Sequence, residues 1–271
     1  MARNIKVMGI INVTDDSYFS ESRCNGTEAV LKRAEKMAAE GADIFDIGGC
    51  STRPGAKTAD EDTEWQRLAP AITAIRKNFP EIPLSIDTFR SGIVAKAHDS
   101  IGEFTVNDIS AGEADRDMLA TVGRLGLPYI AMHMRGTPET MQGLCCYNDI
   151  TAEITEYFRK KTEETERAGI TDCTLDPGFG FAKTIDQNYE LLHNIGKIKK
   201  ALGRKILVGI SRKSMIYRLF NIAPEDALPA TQALHMEAMI QGADILRVHD
   251  VAEAVQCRTI YCKLYGENNI F

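Results

Sequence analysis

Eight polar residues stand at or just past the ends of short apolar runs: Asn12, Asp46, Asp87, Asn107, His133, Asp176, Ser211 and Arg247. Their types cover most of what a small-molecule site needs. Carboxylates accept from cationic or guanidinium-like edges, amides read a heterocycle, and a guanidinium neutralises an anion. Asp87 and Asp176 could work as an acid/base pair, bind the donor edge of a heterocycle, or hold developing positive charge; residue type alone leaves the three open. Asn12 opens the polar stretch Asn12-Val-Thr-Asp-Asp-Ser-Tyr-Phe-Ser20, whose Asp15 and Asp16 are adjacent. Oxygen donors of this kind suit a hard cation such as Mg²⁺, which often shares its shell with a phosphate. Turn formation explains the two aspartates equally well.

Three further loops carry reactive types. Asp46-Ile-Gly-Gly-Cys-Ser-Thr-Arg-Pro-Gly55 places two glycines, a hydroxyl pair and Arg53 before a Pro-Gly turn. Such a loop can bring its backbone close to an anion, with Pro54 shaping the tip. Asp176-Pro-Gly-Phe-Gly-Phe-Ala-Lys183 sets Phe179 and Phe181 on a glycine-rich loop, where either ring could cover a flat ligand. Ser211-Arg-Lys-Ser214 opens a helix-like segment, and hydroxyls with cations there suit anions. In Arg247-Val-His249 the two basic residues are two apart on a strand, so they share a face. His249 is therefore the strongest histidine ligand candidate. His98, His193 and His235 fall on helices and read as surface groups, and His133 stays open.

These residues converge only if the elements beneath them converge. The apolar runs are Ile5–Ile11, Ile44–Ile47, Leu84–Ile86, Phe104–Val106, Tyr129–Met132, Cys173–Leu175, Ile206–Val208 and Ile245–Leu246, with helical stretches between them. Apolar strands alternating with helices imply a parallel sheet covered on both faces. Eight such units in 271 residues predict a single (β/α)8 TIM barrel over residues 1–271, with its site at the C-terminal strand ends. All of the end residues then face one mouth except Asp46, which is read as turning outward. Among the helices, Thr27–Glu40 carries a candidate N-cap in Thr27 and stops before Gly41. Asp62–Asn78 places Trp65, Leu68, Ile72 and Ile75 at helical spacing, so Trp65 reads as packing on the barrel wall. Ile150–Ala168, Ala223–Gln241 and Val251–Tyr265 complete the set. Glu40-Gly-Ala-Asp-Ile44 is echoed by Gln241-Gly-Ala-Asp-Ile245 at the same helix-to-strand junction.

Composition bounds the partners. Hydrophobic content of 44% and charged content of 26% describe an ordinary globular chain, and no linker or low-complexity run divides it. A net charge of −6 argues against a general nucleic-acid binder while leaving room for a local anion site. No apolar stretch is long enough to span a membrane and no signal-peptide pattern appears, so the expected location is cytoplasmic. The seven cysteines lack zinc spacing and read as reduced and structural, with Cys50 the one to watch.

Taken together, the motifs resemble the dihydropteroate synthase family along the whole chain. The carriers are Met8-Gly-Ile-Ile-Asn-Val-Thr14 with Asp16 and Ser17, Asp46-Ile-Gly-Gly49 with Ser51-Thr-Arg-Pro-Gly55, and Ser85-Ile-Asp-Thr88. They continue through Asn107-Asp-Ile-Ser110, Met132-His-Met-Arg-Gly-Thr-Pro138, Leu175-Asp-Pro-Gly178 with Gly180-Phe-Ala-Lys183, Ser211-Arg-Lys-Ser214 and Ile245-Leu-Arg-Val-His-Asp250. The resemblance implies a transferase of folate biosynthesis that condenses 6-hydroxymethyl-7,8-dihydropterin pyrophosphate with p-aminobenzoate, releasing pyrophosphate. It implies a pterin pocket at Asp87, Asn107, Met132, Asp176, Lys213 and Arg247, and a pyrophosphate site at Asn12, Arg247 and His249. It places p-aminobenzoate at Thr52, Arg53, Pro54, Phe181, Lys213 and Ser214, and Mg²⁺ at Asn12 and Asp16. Asp87, Asp176, Lys213 and Arg247 are the expected catalytic set, acting on a dissociative, cation-like pterin. The resemblance further implies a homodimer, formed through the late helices, and a sulfonamide target. Asp15 stands where the family usually has Pro, Tyr18 where Phe is usual, Cys50 where Glu is common, and Ile210 where a small hydroxyl residue is frequent. None removes a key position. Two rivals share the barrel: pterin-dependent methyltransferases acting on a corrinoid, and a non-catalytic pterin binder. The first does not need Ser51-Thr-Arg-Pro-Gly55 or Ser211-Arg-Lys-Ser214, and the second predicts erosion of Asn12, Arg247 and His249, all of which are present.

Overall fold

The apolar runs become eight parallel strands, each pairing with its neighbours around a ring. The computed structural model describes residues 4–13, 26–50, 59–137 and 140–266. The strands are β1 (Lys6–Asn12), β2 (Ile44–Gly48), β3 (Leu84–Asp87), β4 (Thr105–Asp108), β5 (Tyr129–Met132), β6 (Cys173–Asp176), β7 (Leu207–Val208) and β8 (Ile245–Val248). Their order is β6-β5-β4-β3-β2-β1-β8-β7. A parallel bridge between Leu175 and Ile206 joins the two edges of that sheet. The Leu175 N–H also donates to the Lys205 carbonyl at 2.9 Å, so the ring closes as a (β/α)8 barrel.

Nine helices surround it among the described residues: α1 (Thr27–Glu40), α2 (Glu61–Asn78), α3 (Ser91–Ile101), α4 (Met118–Leu125), α5 (Ile150–Arg167), α6 (Ile185–Leu202), α7 (Ser214–Phe220), α8 (Leu228–Gln241) and α9 (Val251–Tyr265). Thr27 is the first helical residue of α1 and makes no side-chain cap; Gly26 holds the cap position instead. The stretch Ala223–Gln241 is not one helix. It divides into a 3-10 turn, Pro224–Ala227, and α8, because Pro229 is tolerated only in a first turn. Among these helices α6 has the firmest start, a reciprocal capping box between Thr184 and Gln187. No helix of the described residues is long and apolar enough to cross a membrane, and no disulfide joins the six cysteines described.

Alternation along the strands decides what faces the site. Phe45 and Ile47 of β2, Ile86 of β3, Val106 of β4 and Leu175 of β6 point outward, where they are fully buried with Leu68, Ile72 and Ile75 of α2 in the main core. Each such side chain contributes ~1.5–3 kcal/mol by leaving water. Trp65 packs half-buried against this core, as its spacing predicts. On the inner face Met8, Ile44, Ile130, Leu207 and Ile245 form a separate apolar plug. Above it the interior turns polar, so the barrel is sealed at one end and chemically equipped at the other.

The repeated Gly-Ala-Asp tripeptide serves the same architectural purpose twice. Gly41 and Gly242 end their helices in the left-handed conformation, φ 92° and 108°. The following carboxylates then turn back onto neighbouring backbone: Asp43 accepts the Val7 N–H and Asp244 the Ile206 N–H, each at 2.8 Å. The echo is structural.

Candidate active site at the barrel mouth

Asp87, Met132 and Asp176 end their strands and Asn107 and Arg247 stand one residue before the end, all on the inner face, where register places Asp87 beside Gly48 and Asn107, and Asp176 beside Met132. Arg247 organises the centre. Its Nη2 donates to Asp87 Oδ2 at 2.7 Å and its Nε to Asp46 Oδ2 at 2.6 Å. Asp46 is therefore not turned outward. It is fully buried inside the barrel, where it also accepts from Ser85 Oγ at 2.6 Å and from Asn107 Nδ2 at 3.2 and 3.3 Å. Two glycines keep the inner wall low. A Cβ on Gly48 would lie 3.5 Å from Asp87 Cβ and 3.7 Å from Asn12 Oδ1, so these residues border one space. A Cβ on Gly209 would lie 4.0 Å from both Asp176 Oδ2 and Arg247 Cδ.

The loop after β6 supplies the second wall. Gly178, at φ 71°, donates its N–H to Asp176 Oδ1 at 2.8 Å and so fixes that carboxylate. Lys213 reaches across from the loop after β7, donating to the Phe179 carbonyl at 2.6 Å with its Nζ 4.6 Å from the centre of the Phe181 ring. Of the two rings that could cover a flat ligand, Phe179 is fully buried in the core and only Phe181 borders the mouth. Lys183 sits beneath, buried, donating to the carbonyls of Gly178 at 2.8 Å and Phe181 at 2.9 Å, with His133 Nδ1 at 3.1 Å. His133 is thus resolved as a core residue, its pKa lowered to about 2 by burial and by Lys183.

The third corner lies between β7 and β8. Ser211 Oγ accepts the His249 N–H at 3.2 Å and lies 3.1 Å from its Nδ1. Burial, then the charge of Arg247, pull the His249 pKa down to about 3. Arg212, read from sequence as a possible anion group, is committed elsewhere: it pairs with both Asp250 oxygens at 2.8 Å. Ser214 is the first residue of α7, a helix of only seven residues.

Burial sets the electrostatics of the mouth. It raises the Asp87 pKa to about 7 despite Arg247, with Asp46 pushing the same way. Asp176 is likewise raised, chiefly by burial, against Lys213 and the Gly178 N–H. Lys213 falls to about 8 through burial, opposed by Asp176. Burial also works against the Arg247 charge, but Asp46 and Asp87 more than offset it and raise its pKa. The chamber thus holds an anion-binding edge, two carboxylates that gain from a neighbouring cation, and an aromatic wall.

A sequence profile of the pterin binding enzymes matches residues 8–249. Dihydropteroate synthase of Escherichia coli strain K12 is 39% identical over 266 residues, covering 97% of this chain and 93% of that one. The chain belongs to the dihydropteroate synthases. The crystal structure of dihydropteroate synthase from Yersinia pestis in a sulfonamide drug complex superposes with a TM-score of 0.91 at 35% identity, covering 96% of this chain and 94% of that one. That of Xanthomonas albilineans dihydropteroate synthase with 4-aminobenzoic acid gives 0.88 at 35%, covering 97% and 94%.

Within this synthase barrel Asp87, Asn107, Met132, Asp176, Lys213 and Arg247 lie around one mouth, with Asn12 and Asp87 both bordering Gly48 and His249 beside Ser211. Asp16, Thr52, Arg53 and Pro54 lie outside the described residues. Sequence reading turned Asp46 the wrong way and missed two groups, the Lys183 clamp and the buried Glu64, which pairs with Arg90 at the foot of α2. Arg90 in turn donates to the Ala59 carbonyl. Of the departures from the family pattern, Cys50 and Ile210 are both buried.

Proposed function

We propose that this mouth condenses a dihydropterin pyrophosphate with p-aminobenzoate through a dissociative, cation-like pterin. The observation that carries the reading is the trio Asp87, Asp176 and Lys213 around one chamber, joined by Arg247 to the corner of Asn12 and His249. A pterin presents an amidine-like donor edge and a carbonyl edge; Asp176 with Asn107 suits the first and Lys213 the second. Met132 supplies an apolar floor. Arg247 and His249 take the pyrophosphate, whose charge favours protonation of a histidine held neutral by burial.

Loss of pyrophosphate from the methylene leaves positive charge spread over the ring. Asp87 and Asp176 are costly to ionise in the empty mouth and gain most when a cation appears beside them. Their help is therefore concentrated in the transition state. The neutral arylamine then attacks the methylene and loses a proton, with no strong base required. Lys213, Ser214 and Phe181 border the space proposed for p-aminobenzoate, with Thr52, Arg53 and Pro54 completing it. A sulfonamide carries the same arylamine and would compete there.

Mg²⁺ fits the donor chemistry. The Asn12 side-chain oxygen is a hard donor beside Asp87, and this ion commonly takes only one or two protein oxygens with the rest from phosphate and water. Asn12 and Asp16 would hold it, and it would neutralise the leaving pyrophosphate. Among the described residues no cluster of three His, Cys, Asp or Glu forms an all-protein metal cage. The chain acts as one domain and as a homodimer. Exposed Leu219, Phe220, Ile240, Ile260, Leu264 and Tyr265 on α7 to α9 support the late helices as the shared face.

The test is pyrophosphate release with Mg²⁺, with and without p-aminobenzoate, in the wild type, Asp87→Asn and Lys213→Ala. Release coupled to dihydropteroate formation, and reduced at least ~100-fold in both variants, is expected. Tight pterin binding without release would instead favour a methyltransferase or a binding protein.

A further inference from the structure

Among the described residues, the inner surface holds a carboxylate, Asp46, that the proposed reaction does not use. Asp46 lies below the mouth, fully buried, and its side-chain hydrogen bonds to Ser85, Asn107 and Arg247 all run inside the barrel. Asn107 and Arg247, two of its partners, belong to the proposed pterin and pyrophosphate sites, while the third, Ser85, is a buried hydroxyl on β3. The partners come from β3, β4 and β8, so a single side chain on β2 ties three other strands to one point.

We propose that Asp46 is a positioning residue for the pterin-pyrophosphate half of the reaction, holding Arg247 and Asn107 in their ligand-ready orientation. The argument is geometric. A guanidinium on a flexible stem needs two fixed points to define its plane, and Arg247 has them in Asp46 through Nε and Asp87 through Nη2. Asp87 itself faces the ligand, so when substrate engages it Asp46 remains as the fixed anchor. Asn107 Nδ2 is held between both Asp46 oxygens, which fixes which end of its amide is nitrogen and which is oxygen. Among the described residues, Asp46's hydrogen bonds run to Ser85, Asn107 and Arg247 and not to Lys213, Phe181 or Ser214 on the arylamine side.

This inference rests on the synthase reading, and the experiment separates the two. Steady-state constants are measured for both substrates, and inhibition by inorganic pyrophosphate is measured alongside. In Asp46→Asn the volume is kept but the negative charge that anchors Arg247 is removed and one acceptor oxygen becomes an NH₂ donor, so the anchor is weakened. The KM for the pterin pyrophosphate and the inhibition constant for pyrophosphate should each rise about tenfold or more, because an orienting contact is lost. The KM for p-aminobenzoate should stay within about threefold. A merely structural role would lower kcat and thermal stability while leaving both KM values in place, and that result overturns the proposal. Ser85→Ala removes only the 2.6 Å bond to Asp46 Oδ1 and keeps the chain's other contacts. It should shift the same two constants in the same direction by about threefold, so the question is decided even if Asp46→Asn does not fold. If neither variant moves the pterin-pyrophosphate KM, the proposal fails. If the wild type makes no dihydropteroate, the synthase reading fails instead, and calorimetry of pyrophosphate binding to the same variants still tests the anchoring of Arg247.

Discussion

Gly178 is the position at which a single methyl group should separate backbone strain from damage to the site. Its φ of 71° belongs to the left-handed region, where a Cβ costs ~1 kcal/mol. The larger obstacle is the His133 carbonyl oxygen, 2.0 Å from where that Cβ would sit, whereas ordinary contact begins at 3.4 Å. The obstacle is backbone on β5's exit, so the β6 loop must retreat by more than an ångström. The retreating residue carries the N–H that holds Asp176 Oδ1 and the carbonyl that accepts from Lys183. Gly178→Ala should therefore lose ~2–4 kcal/mol of stability, the strain plus an overpacking cost. Its kcat/KM for the pterin pyrophosphate should fall ~100-fold, the usual consequence of an ångström-scale misplacement. Gly203→Ala is the reference. Its φ is 64°, it caps α6, and a Cβ there meets nothing within 4 Å, so it should lose only ~1 kcal/mol and keep full activity. Urea melts and pyrophosphate release measure the two quantities. Equal stability losses in both variants, with kcat/KM for Gly178→Ala within threefold of wild type, would refute the steric argument.

Two further outcomes follow from buried cations and bases. Lys183→Met strips the donor from two loop carbonyls and His133, so it should raise the KM for p-aminobenzoate through Phe181 and lower stability by ~2 kcal/mol or more in urea melts at neutral pH. Burial lowers the Lys183 pKa to about 7, so between that value and its ordinary 10.5 the unfolded chain binds a proton the folded chain refuses. Wild-type stability therefore rises with pH across this window, and Lys183→Met should flatten the rise. His235, fully buried, has its pKa lowered from 6.5 to about 4 by burial. As pH falls through that window the unfolded state again takes up the proton first, and the wild type should lose about 3 kcal/mol from this group. His235→Gln, compared in melts at pH 7 and pH 4, should lose correspondingly less; identical pH dependence would show that His235 is not the acid-sensitive group.

The strand-and-helix rhythm was legible because each element must bury one face, and that requirement writes a period into the chain. Partners left a weaker trace. Asp46 shows both cases. Its inward direction follows from its neighbours Phe45 and Ile47, which face the helices, so alternation alone assigns Asp46 to the interior; reading the run Ile44–Ile47 as uniformly apolar hid this. That it meets Arg247, two hundred residues along, follows only from barrel closure. His235 is similar: it shares a helical face with buried Thr231, Ala238 and Met239, which contradicts a surface position. Glu64 lies one turn before Leu68 on the buried stripe of α2, yet nothing local announces Arg90. Arg212 stood in a run that suited an anion by residue type, but its charge is spent on Asp250.

Burial sets the direction of the carboxylate shifts, raising Glu64 and Asp108 outside the mouth as it raises Asp87 and Asp176 within it. Asp60 caps α2 at the surface, accepts from the Thr63 N–H at 2.7 Å, and has its pKa lowered by that bond. Asp87 has a stronger partner, a guanidinium at 2.7 Å, and is nevertheless raised. Hydrogen bonding wins at the surface position; at Asp87 desolvation wins even against an ion pair. A fold selected only for stability gains little from such a carboxylate, because an apolar side chain of similar size would avoid the cost. The arrangement becomes favourable when positive charge develops within reach of Asp87 and Asp176 and negative charge departs toward Arg247 and His249. Removing either carboxylate should then cost more in the transition state than in the ground state, with kcat falling further than substrate affinity.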